Sequence, residues 1–341
     1  MALDLTPYLQ ALEDDLQHVV PPDRDHYRGL SDMLRYHLGW QDLDGKPVAG
    51  RRGKRLRPLL CLLACEAFDG DWTGALPAAS ALELIHNFTL IHDDIEDDSP
   101  TRHQRPTVWS VWGLAQGINA GDALWALARR SIYRLTDSGH SPSTTLAVAR
   151  LLDETCYDLC RGQFLDIASE GDRGITVETY ERVMRGKTAA LTAASLVSGA
   201  LLGGASPAHL EALERFGLEL GIAFQLTDDL LGIWGDPGVT GKSAASDLAT
   251  HKMTLPVIHA LAWERARGED TLHGLLGQEP SDEMVPAMLA VLDCSGAQKV
   301  VSRRAMESQR RMADAWDRMA LRGPAAEGLY QLTMGILGRQ Y

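Results

Sequence analysis

Aspartates gather at two places in an otherwise apolar sequence. The first cluster contains Asp93, Asp94 and Asp97, and the second contains Asp228 and Asp229. If a helix continues through the first cluster, Asp93 and Asp97 lie one turn apart on one face. Oxygen ligands in such groups suit a hard ion such as magnesium, which bridges to substrate phosphates. A solvated acidic helix end is the alternative for either cluster alone, but two of them on apolar helices favour the metal interpretation.

Basic residues accompany both clusters. Arginine offers a planar fork to phosphate oxygens and lysine offers a point charge. Each cation alone is weak evidence, because basic residues are common on surfaces. Together with the aspartates they predict a phosphorylated substrate. The set comprises Lys54, Arg57, Arg102, His103, Arg105, Arg185, Lys187, Lys242 and Lys252.

The sequence predicts that almost all the elements that carry these residues are helices. Segments 80–94, 121–135 and 209–234 place apolar residues at i, i+3, i+4 and i+7, and alternation of the strand type is scarce. Glycine and proline fall between these segments, and no linker or repeat marks a boundary. The sequence therefore predicts an all-α fold, a single helical bundle spanning residues 1–341.

Composition excludes several classes of function. The chain has 341 residues, a net charge of −13 and a pI near 5.3, which argue against a nucleic-acid binder. No apolar run approaches the roughly eighteen residues of a membrane span, and the acidic N-terminus reads as a helix rather than a targeting segment. The five cysteines lack zinc-site spacing, so we expect reduced thiols in a cytoplasmic protein.

These motifs resemble those of the trans-isoprenyl diphosphate synthases, also called polyprenyl synthetases, and in particular the geranylgeranyl diphosphate synthases. The match runs from about residue 50 to 260 in the family's order and spacing. The matching segments are GKRLRP (53–58), ELIHNFTLIHDDIED (83–97), the stretch 102–107, RGKTAAL (185–191), FQLTDDLLGIWGD (224–236), TGK (240–242) and the stretch 246–256.

The resemblance implies a fold, a metal and a set of site residues. The fold would be the isoprenoid synthase type, all-α with a central cavity between the two aspartate-rich helices, in a homodimer. Mg²⁺ would bridge an allylic diphosphate to Asp93, Asp94, Asp97, Asp228 and Asp229, with Lys187 among the catalytic residues. The same diphosphate would contact Arg102, Lys187, Thr188, Gln225, Lys242 and Lys252. Isopentenyl diphosphate would lie against Lys54, Arg57 and His86.

His86 has a second interpretation, because a histidine within an apolar helix is often only a hydrogen-bonded core residue. Its helical position, on one face with Leu90, Asp93 and Asp97, favours the ligand role.

Two positions depart from the family pattern. The family usually has a second arginine where this chain has His103, and glycine where it has Gln104. That arginine usually contacts isopentenyl diphosphate, so either Arg105 or a protonated His103 must replace it if elongation occurs. The second cluster usually ends in a third aspartate, and this chain has Gly232 there, with Asp236 nearby in sequence.

Product length in this family depends on side-chain bulk before the first cluster. Phe88 is large and Thr89 is small, a pair that predicts a twenty-carbon product, geranylgeranyl diphosphate. Products of fifteen or twenty-five carbons stay open. If Phe88 only packs in the core, this argument does not apply.

The predicted function is thus magnesium-dependent condensation of isopentenyl diphosphate with dimethylallyl, geranyl or farnesyl diphosphate. One alternative is an enzyme on the same scaffold that cyclises its allylic substrate or uses another acceptor. Another is a silent partner subunit of a true synthase, which the intact aspartates and Lys187 oppose.

Overall fold

The protein is helical along most of its length. The computed structural model describes residues 3–48, 53–236 and 245–338. Its helices are α1 (Thr6–Val19), α2 (Arg28–His37), α3 (Leu56–Ala67), α4 (Leu76–Glu96), α5 (Val108–Trp112), α6 (Leu114–Tyr133), α7 (Pro142–Ala168), α8 (Val177–Met184), α9 (Ala190–Leu202), α10 (Pro207–Trp234), α11 (Ser246–Ala249), α12 (Leu255–Arg267), α13 (Thr271–Leu275), α14 (Val285–Ser295), α15 (Ala297–Met319) and α16 (Pro324–Leu337). Three 3₁₀ turns (Asp25–Tyr27, Trp72–Ala75 and Asp282–Met284) and a π-helical turn, Arg185–Ala189, complete the helical elements.

Within the described ranges, the β-structure is a minimal hairpin and one isolated bridge. Strand β1 (Thr101–Arg102) pairs antiparallel with β2 (Arg105–Pro106), and Gln41 bridges Pro47. The prediction of an all-α fold is confirmed.

By their internal contacts the residues form two compact units. The first comprises Met1–Cys156, Ala194–Leu210 and Leu321–Leu329, and the second comprises Tyr157–Ala193, Glu211–Ala320 and Tyr330–Tyr341. The first aspartate cluster belongs to the first unit and the second cluster to the second. The single domain and the central cavity stay predictions.

In the first unit, α4 is the central helix. It packs against α1, α3 and α6, and its first two turns are almost completely buried. A proline at its N-terminus suits the start of a helix, where a missing N–H costs nothing. The contact with α6 is close at Gly121, where an added Cβ would lie 2.2 Å from Nε2 of His92. Glycine is therefore required for α6 to approach the end of α4 that carries the first aspartates.

The C-terminus of α4 is closed by a Schellman motif. Asp98 adopts a left-handed conformation (φ 48°) and donates its N–H to the carbonyl of Ile95, while Ser99 donates to that of Asp94. Asp97 follows the last helical residue and still donates to the carbonyl of Asp93, at 2.9 Å. The spacing of one turn between Asp93 and Asp97 is therefore preserved although the helix ends at Glu96.

The second unit has two apolar core clusters. One gathers residues of α8, α10, α12 and α15 and includes Tyr180, Leu226 and Leu230. The other joins α12 to α14 and includes Leu261 and Leu292. These cores hold the end of α10, with Asp228 and Asp229, against the first turn of α12.

No single helix among the described residues is long and apolar enough to cross a membrane; one bent pair, Asp282–Ser295 with Ala297–Met319 at 62°, meets the length and composition criteria only when the two are taken together.

Candidate active site

The three aspartates of the first cluster differ in exposure. Asp94 is buried, with 2% of its surface exposed, Asp93 is half-buried and Asp97 is exposed. Burial raises the pKa of Asp94, an effect that the neighbouring Arg102 opposes. The pair that faces outward on one side of the helix end is therefore Asp93 and Asp97.

Arg102 lies directly against this cluster. Its Nε donates to Oδ1 of Asp94 at 2.6 Å, and its Nη2 donates to Oδ2 of Asp93 at 3.3 Å. The positive charge offsets the repulsion between adjacent carboxylates at a helix C-terminus, where the macrodipole is unfavourable for anions. The sequence predicted Arg102 as a diphosphate ligand, and in this conformation it pairs with the aspartates.

The hairpin that carries Arg102 turns through His103 and Gln104. Both have positive φ, 49° and 61°, the combination that a type I′ turn needs. His103 is exposed at the tip. A left-handed conformation would suit a glycine and is less favourable for glutamine.

Arg105 has a structural role, because its guanidinium contacts the end of α2 and the residues that follow. Its Nη2 donates to the carbonyls of Tyr36 (3.1 Å) and Gln41 (3.3 Å), and its guanidinium stacks 4.1 Å from the Tyr36 ring centroid. The suggestion that Arg105 replaces the missing second arginine is therefore not favoured, because its guanidinium already donates to backbone carbonyls in the last turn of α2 and just beyond it.

The residues expected to contact isopentenyl diphosphate all belong to the first unit. Lys54 is exposed, and Arg57 and His86 are half-buried. The Nε of Arg57 is buried and has no hydrogen-bond partner in the described part of the chain. Burial and the charge of Arg57 hold the pKa of His86 well below its usual range, so this imidazole is neutral.

Arg55, by contrast, is structural. It is 4% exposed, and it pairs with Glu13 at 2.8 Å and with Glu83 at 2.7 Å. Two arginines of one short motif therefore have different environments, since Arg55 has two carboxylate partners and the Nε of Arg57 has none.

In the second cluster, Asp229 is fully buried. It accepts hydrogen bonds from the Tyr180 hydroxyl (2.9 and 2.8 Å), from Nε2 of Gln225 (3.0 Å) and from the Leu255 N–H (3.3 Å). Burial raises its pKa to about 6, although these donors and the charge of Lys252 oppose the shift. The adjacent Asp228 is half-buried.

Gly232 makes room for another carboxylate. A Cβ at this position would lie 2.0 Å from Oδ2 of Asp247. The Asp247 side chain is 8% exposed and thus fills the space next to residue 232, one turn beyond Asp228. The third aspartate that the family pattern expects at 232 is absent, and the carboxylate in that space belongs to Asp247.

The Arg185–Ala189 turn positions Lys187 and Thr188 through glycine contacts. An added Cβ on Gly162 would lie 2.4 Å from the backbone nitrogen of Lys187, and one on Gly221 would lie 2.4 Å from the Ala189 Cα. The residues that bind the Lys187 and Thr188 side chains follow four positions after these two glycines. Lys187 Nζ donates to Oδ2 of Asp166 at 2.7 Å, and Thr188 Oγ1 donates to Oε1 of Gln225 at 3.0 Å. Single π-helical turns are frequent at functional sites.

Some site residues were missed or lie outside the structure. Lys242 is outside the described residues, and Lys252 is exposed. Sequence reasoning missed Asp166 and Tyr180. The glycine four residues before Asp166 could have pointed to it, whereas nothing in the sequence around Tyr180 marks its contact with Asp229.

The two predicted length-determining residues lie on α4. Phe88 and Thr89 are half-buried. The Phe88 ring meets His92 edge to face at 5.8 Å between centroids, and the Thr89 hydroxyl donates to the His86 carbonyl at 2.8 Å.

The comparison with known proteins decides the family. The model of the polyprenyl synthetase family matches residues 46–292. The chain belongs to the polyprenyl synthetase family. It is accordingly a prenyltransferase of the trans-isoprenyl diphosphate synthase type, as the motifs predicted.

This polyprenyl synthetase is similar to characterised relatives and to solved structures. It is 51% identical over 232 residues to a geranylgeranyl diphosphate synthase of Mycobacterium tuberculosis, a match covering 68% of this chain and 65% of that protein. It is 39% identical to a (2E,6E)-farnesyl diphosphate synthase of Mycobacterium bovis, over 98% of this chain and 90% of that one. The crystal structure of a Corynebacterium glutamicum geranylgeranyl pyrophosphate synthase, complexed with isoprenyl diphosphate and magnesium, superimposes with a TM-score of 0.82 at 28% identity, covering 99% and 100% of the two chains.

The donors of this family member fit magnesium that is shared with substrate. Among the described residues, no three His, Cys, Asp or Glu side chains are arranged to hold a metal by themselves. Magnesium commonly keeps several waters and takes only one or two carboxylates plus substrate phosphates. Asp93 and Asp97, two oxygen ligands one turn apart on one face, suit that arrangement, as does Asp228.

Proposed function

We propose that this prenyltransferase is a magnesium-dependent geranylgeranyl diphosphate synthase, which condenses isopentenyl diphosphate with an allylic diphosphate. The observation that carries the proposal is the pair Asp93 and Asp97, held one turn apart on a helix end beside Arg102. The 51% identity to a geranylgeranyl diphosphate synthase supports the product length, while the farnesyl-producing relative keeps that choice a proposal.

In this proposal, basic residues of the chain bind the diphosphate leaving group and stabilise its charge. We assign Lys187, Arg102 and Lys252 to the allylic diphosphate, whose negative charge grows as the bond to the allylic carbon breaks. Charges fixed in advance stabilise that developing charge without a reorganisation cost. Magnesium, when bound through Asp93, Asp97 and Asp228, supplies further charge stabilisation.

The positions of Lys187 and Arg102 depend on their anionic partners. Asp166 holds Lys187 at 2.7 Å, and Asp94 holds Arg102 at 2.6 Å. These contacts reduce the number of rotamers that each cation explores, so part of the ordering cost is met before substrate binds. The double bond of isopentenyl diphosphate then attacks the allylic carbon, and a proton leaves the adduct, for which the departing diphosphate is an available base.

The test is incubation of the purified protein with magnesium, farnesyl diphosphate and labelled isopentenyl diphosphate, followed by chromatography of intact products. Labelled geranylgeranyl diphosphate is the expected product. Labelled products of another length would retain elongation and reject the twenty-carbon assignment.

A second candidate is an enzyme that ionises its allylic substrate without adding isopentenyl diphosphate. The observation that favours it is the engagement of Arg105 with Tyr36 and Gln41, which leaves His103 as the only side chain of the 103–105 segment placed to replace the missing arginine. Diphosphate release with an unlabelled hydrocarbon or alcohol would select this candidate.

We also propose that the enzyme is a homodimer. Leu114, Ile118 and Trp125 lie on one side of α6 and are 55%, 45% and 42% exposed. An exposed apolar face of this kind is typical of a protein–protein contact. The cytoplasmic location predicted from the cysteines stays a prediction.

A further inference from the structure

Two nitrogen atoms in the first unit are buried without a hydrogen-bond partner. Within the described residues these are Nε of Arg57 and Nε2 of His37. A buried polar atom that lacks a partner costs roughly 1–3 kcal/mol, so native proteins seldom leave one unexplained. The segments that carry them are in contact, because Arg55, two residues before Arg57, donates to the carbonyl of Leu38, next to His37, at 3.3 Å. Both side chains also lower the pKa of His86 electrostatically. One ligand between these side chains would satisfy both atoms.

The fold fixes the place of His37. It is the last residue of α2, which ends in a Schellman motif with Gly39 at φ 80° and a bond from the Trp40 N–H to the Arg35 carbonyl (3.0 Å). The carbonyls exposed at this helix end are capped by two arginines. Arg105 donates to the Tyr36 carbonyl at 3.1 Å, and Arg55 donates to the Leu38 carbonyl at 3.3 Å. His37 therefore has little freedom to move elsewhere.

The imidazole of His37 is neutral, because burial lowers its pKa to about 3. A neutral imidazole carries its proton on one ring nitrogen. With that proton on Nε2, the N–H lacks an acceptor, as does the Nε–H of Arg57.

The surroundings select an anion. Burial lowers the pKa of His37 most, and the positive charges of three arginines, Arg102, Arg105 and Arg55, lower it further. An apolar or cationic ligand would leave the Nε of Arg57 without an acceptor and would not offset the positive charge of these arginines. A phosphate group provides the oxygens that both nitrogens lack, and arginine and phosphate form strong charge-assisted hydrogen bonds.

We propose that His37 contacts the diphosphate of isopentenyl diphosphate together with Arg57, and that it takes the place of the arginine that this chain lacks at position 103. The proposal rests on the function proposed above and adds to it a residue outside the family's matching segments. The Nε2–H of the neutral imidazole donates to one phosphate oxygen, and the Nε–H of Arg57 donates to another.

Two substitutions separate ligand contact from packing. His37→Asn keeps an amide near the position of Nδ1 and removes Nε2, whereas His37→Gln extends an amide donor towards the position of Nε2. His140→Asn is the control, because His140 is also half-buried but has its own partner, the Gly74 carbonyl at 3.2 Å. Melting temperatures of all three show whether each variant folds.

The measurements are the Michaelis constants for both substrates and the magnesium-free binding of isopentenyl diphosphate by calorimetry. His37→Asn is expected to raise KM and Kd for isopentenyl diphosphate about tenfold or more, the size of one lost charged hydrogen bond. KM for farnesyl diphosphate should change less than about twofold, His37→Gln should recover part of the loss, and His140→Asn should behave as wild type.

Equal changes in both Michaelis constants, or no change for isopentenyl diphosphate, would overturn the role of His37. If the wild-type enzyme incorporates no label, the proposed elongation fails, and calorimetry still decides about His37. Binding of isopentenyl diphosphate that is lost in His37→Asn would support the contact, and absence of binding by the wild type would reject it.

Discussion

At the scale of single residues, neighbouring carboxylates of one motif have different environments. Asp228 is half-buried, whereas Asp229 is fully buried and accepts bonds from Tyr180, Gln225 and Leu255. These donors restrict Asp229 and position the last turns of α10 against α8 and α12. Its contribution to metal binding stays a prediction, and the contacts favour a role in holding Asp228 in place.

The raised pKa of Asp229 predicts a pH-dependent contribution to stability. The pKa of the carboxyl is about 6 in the folded protein and 3.8 for an ordinary aspartate, so the folded state binds the proton more tightly. The contribution of Asp229 to the free energy of unfolding is therefore most favourable below about pH 4 and is lost as the pH rises to about 6. The shift corresponds to roughly 3 kcal/mol at most. Asp229→Asn should remove this component, so the difference in unfolding free energy between variant and wild type should change between about pH 4 and about pH 6 and be flat above about pH 7. Urea titrations across that range measure it, and parallel curves would contradict the assignment.

Phe88 tests the steric account of product length. Its half-buried ring packs against His92, and Phe88→Ala removes most of that volume. We expect products of twenty-five carbons or more, visible by chromatography of the reaction with farnesyl and isopentenyl diphosphates. Thr89→Ser is the matched control, because serine keeps the hydroxyl that donates to the His86 carbonyl, and it should leave the length unchanged. Unaltered products from Phe88→Ala would mean that the ring only packs.

At the scale of elements, glycines determine how closely helices and loops approach. The absence of a Cβ lets Gly121 contact His92, lets Gly162 and Gly221 contact the Arg185–Ala189 turn, and lets Gly232 contact Asp247. In each case the contact lies within one or two turns of a predicted site residue. The pattern explains why Gly232 is tolerated in a motif where the family usually has aspartate.

Gly232→Ala is predicted to destabilise the second unit. The new methyl group would lie 2.0 Å from Oδ2 of Asp247, so the carboxylate must move, at a cost of about 1–3 kcal/mol. In the Asp247→Ala background the same substitution should cost much less, because the two sites are in contact and their effects are not additive. Thermal unfolding of the four proteins in this cycle measures the coupling. Additive effects would show that Asp247 does not occupy this space.

The sequence predicts helices better than it predicts contacts. The apolar period and the spacing of Asp93 and Asp97 predict a helix with two carboxylates on one side, and α4 has this arrangement. The burial of Asp229 could not be predicted, because its partners Tyr180 and Leu255 are 49 and 26 residues away. Likewise, His37 resembles any histidine on an apolar helix until the arginines that cap α2 are placed.

At the scale of the whole molecule, the exposed apolar side of α6 predicts self-association. Ile118→Glu places a charge in the centre of that face and is expected to convert a dimer to a monomer in size-exclusion chromatography with light scattering. Met306→Glu is the control, since Met306 is 59% exposed on α15, outside this face. A wild-type monomer, or a dimer that persists in Ile118→Glu, would remove α6 from the interface.

The central claim is that Asp93 and Asp97 hold magnesium for an allylic diphosphate. The most direct test is the elongation assay with farnesyl and labelled isopentenyl diphosphates, run across magnesium concentrations for wild type, Asp93→Asn and Glu96→Gln. Glu96 is an exposed carboxylate of the same helix end outside the predicted ligand set. The account predicts that Asp93→Asn lowers turnover about a hundredfold or more, by analogy with the roughly 10²–10³-fold cost of removing one electrostatic stabiliser, and that Glu96→Gln retains near-normal turnover. Equal turnover in Asp93→Asn and wild type at every magnesium concentration would contradict it.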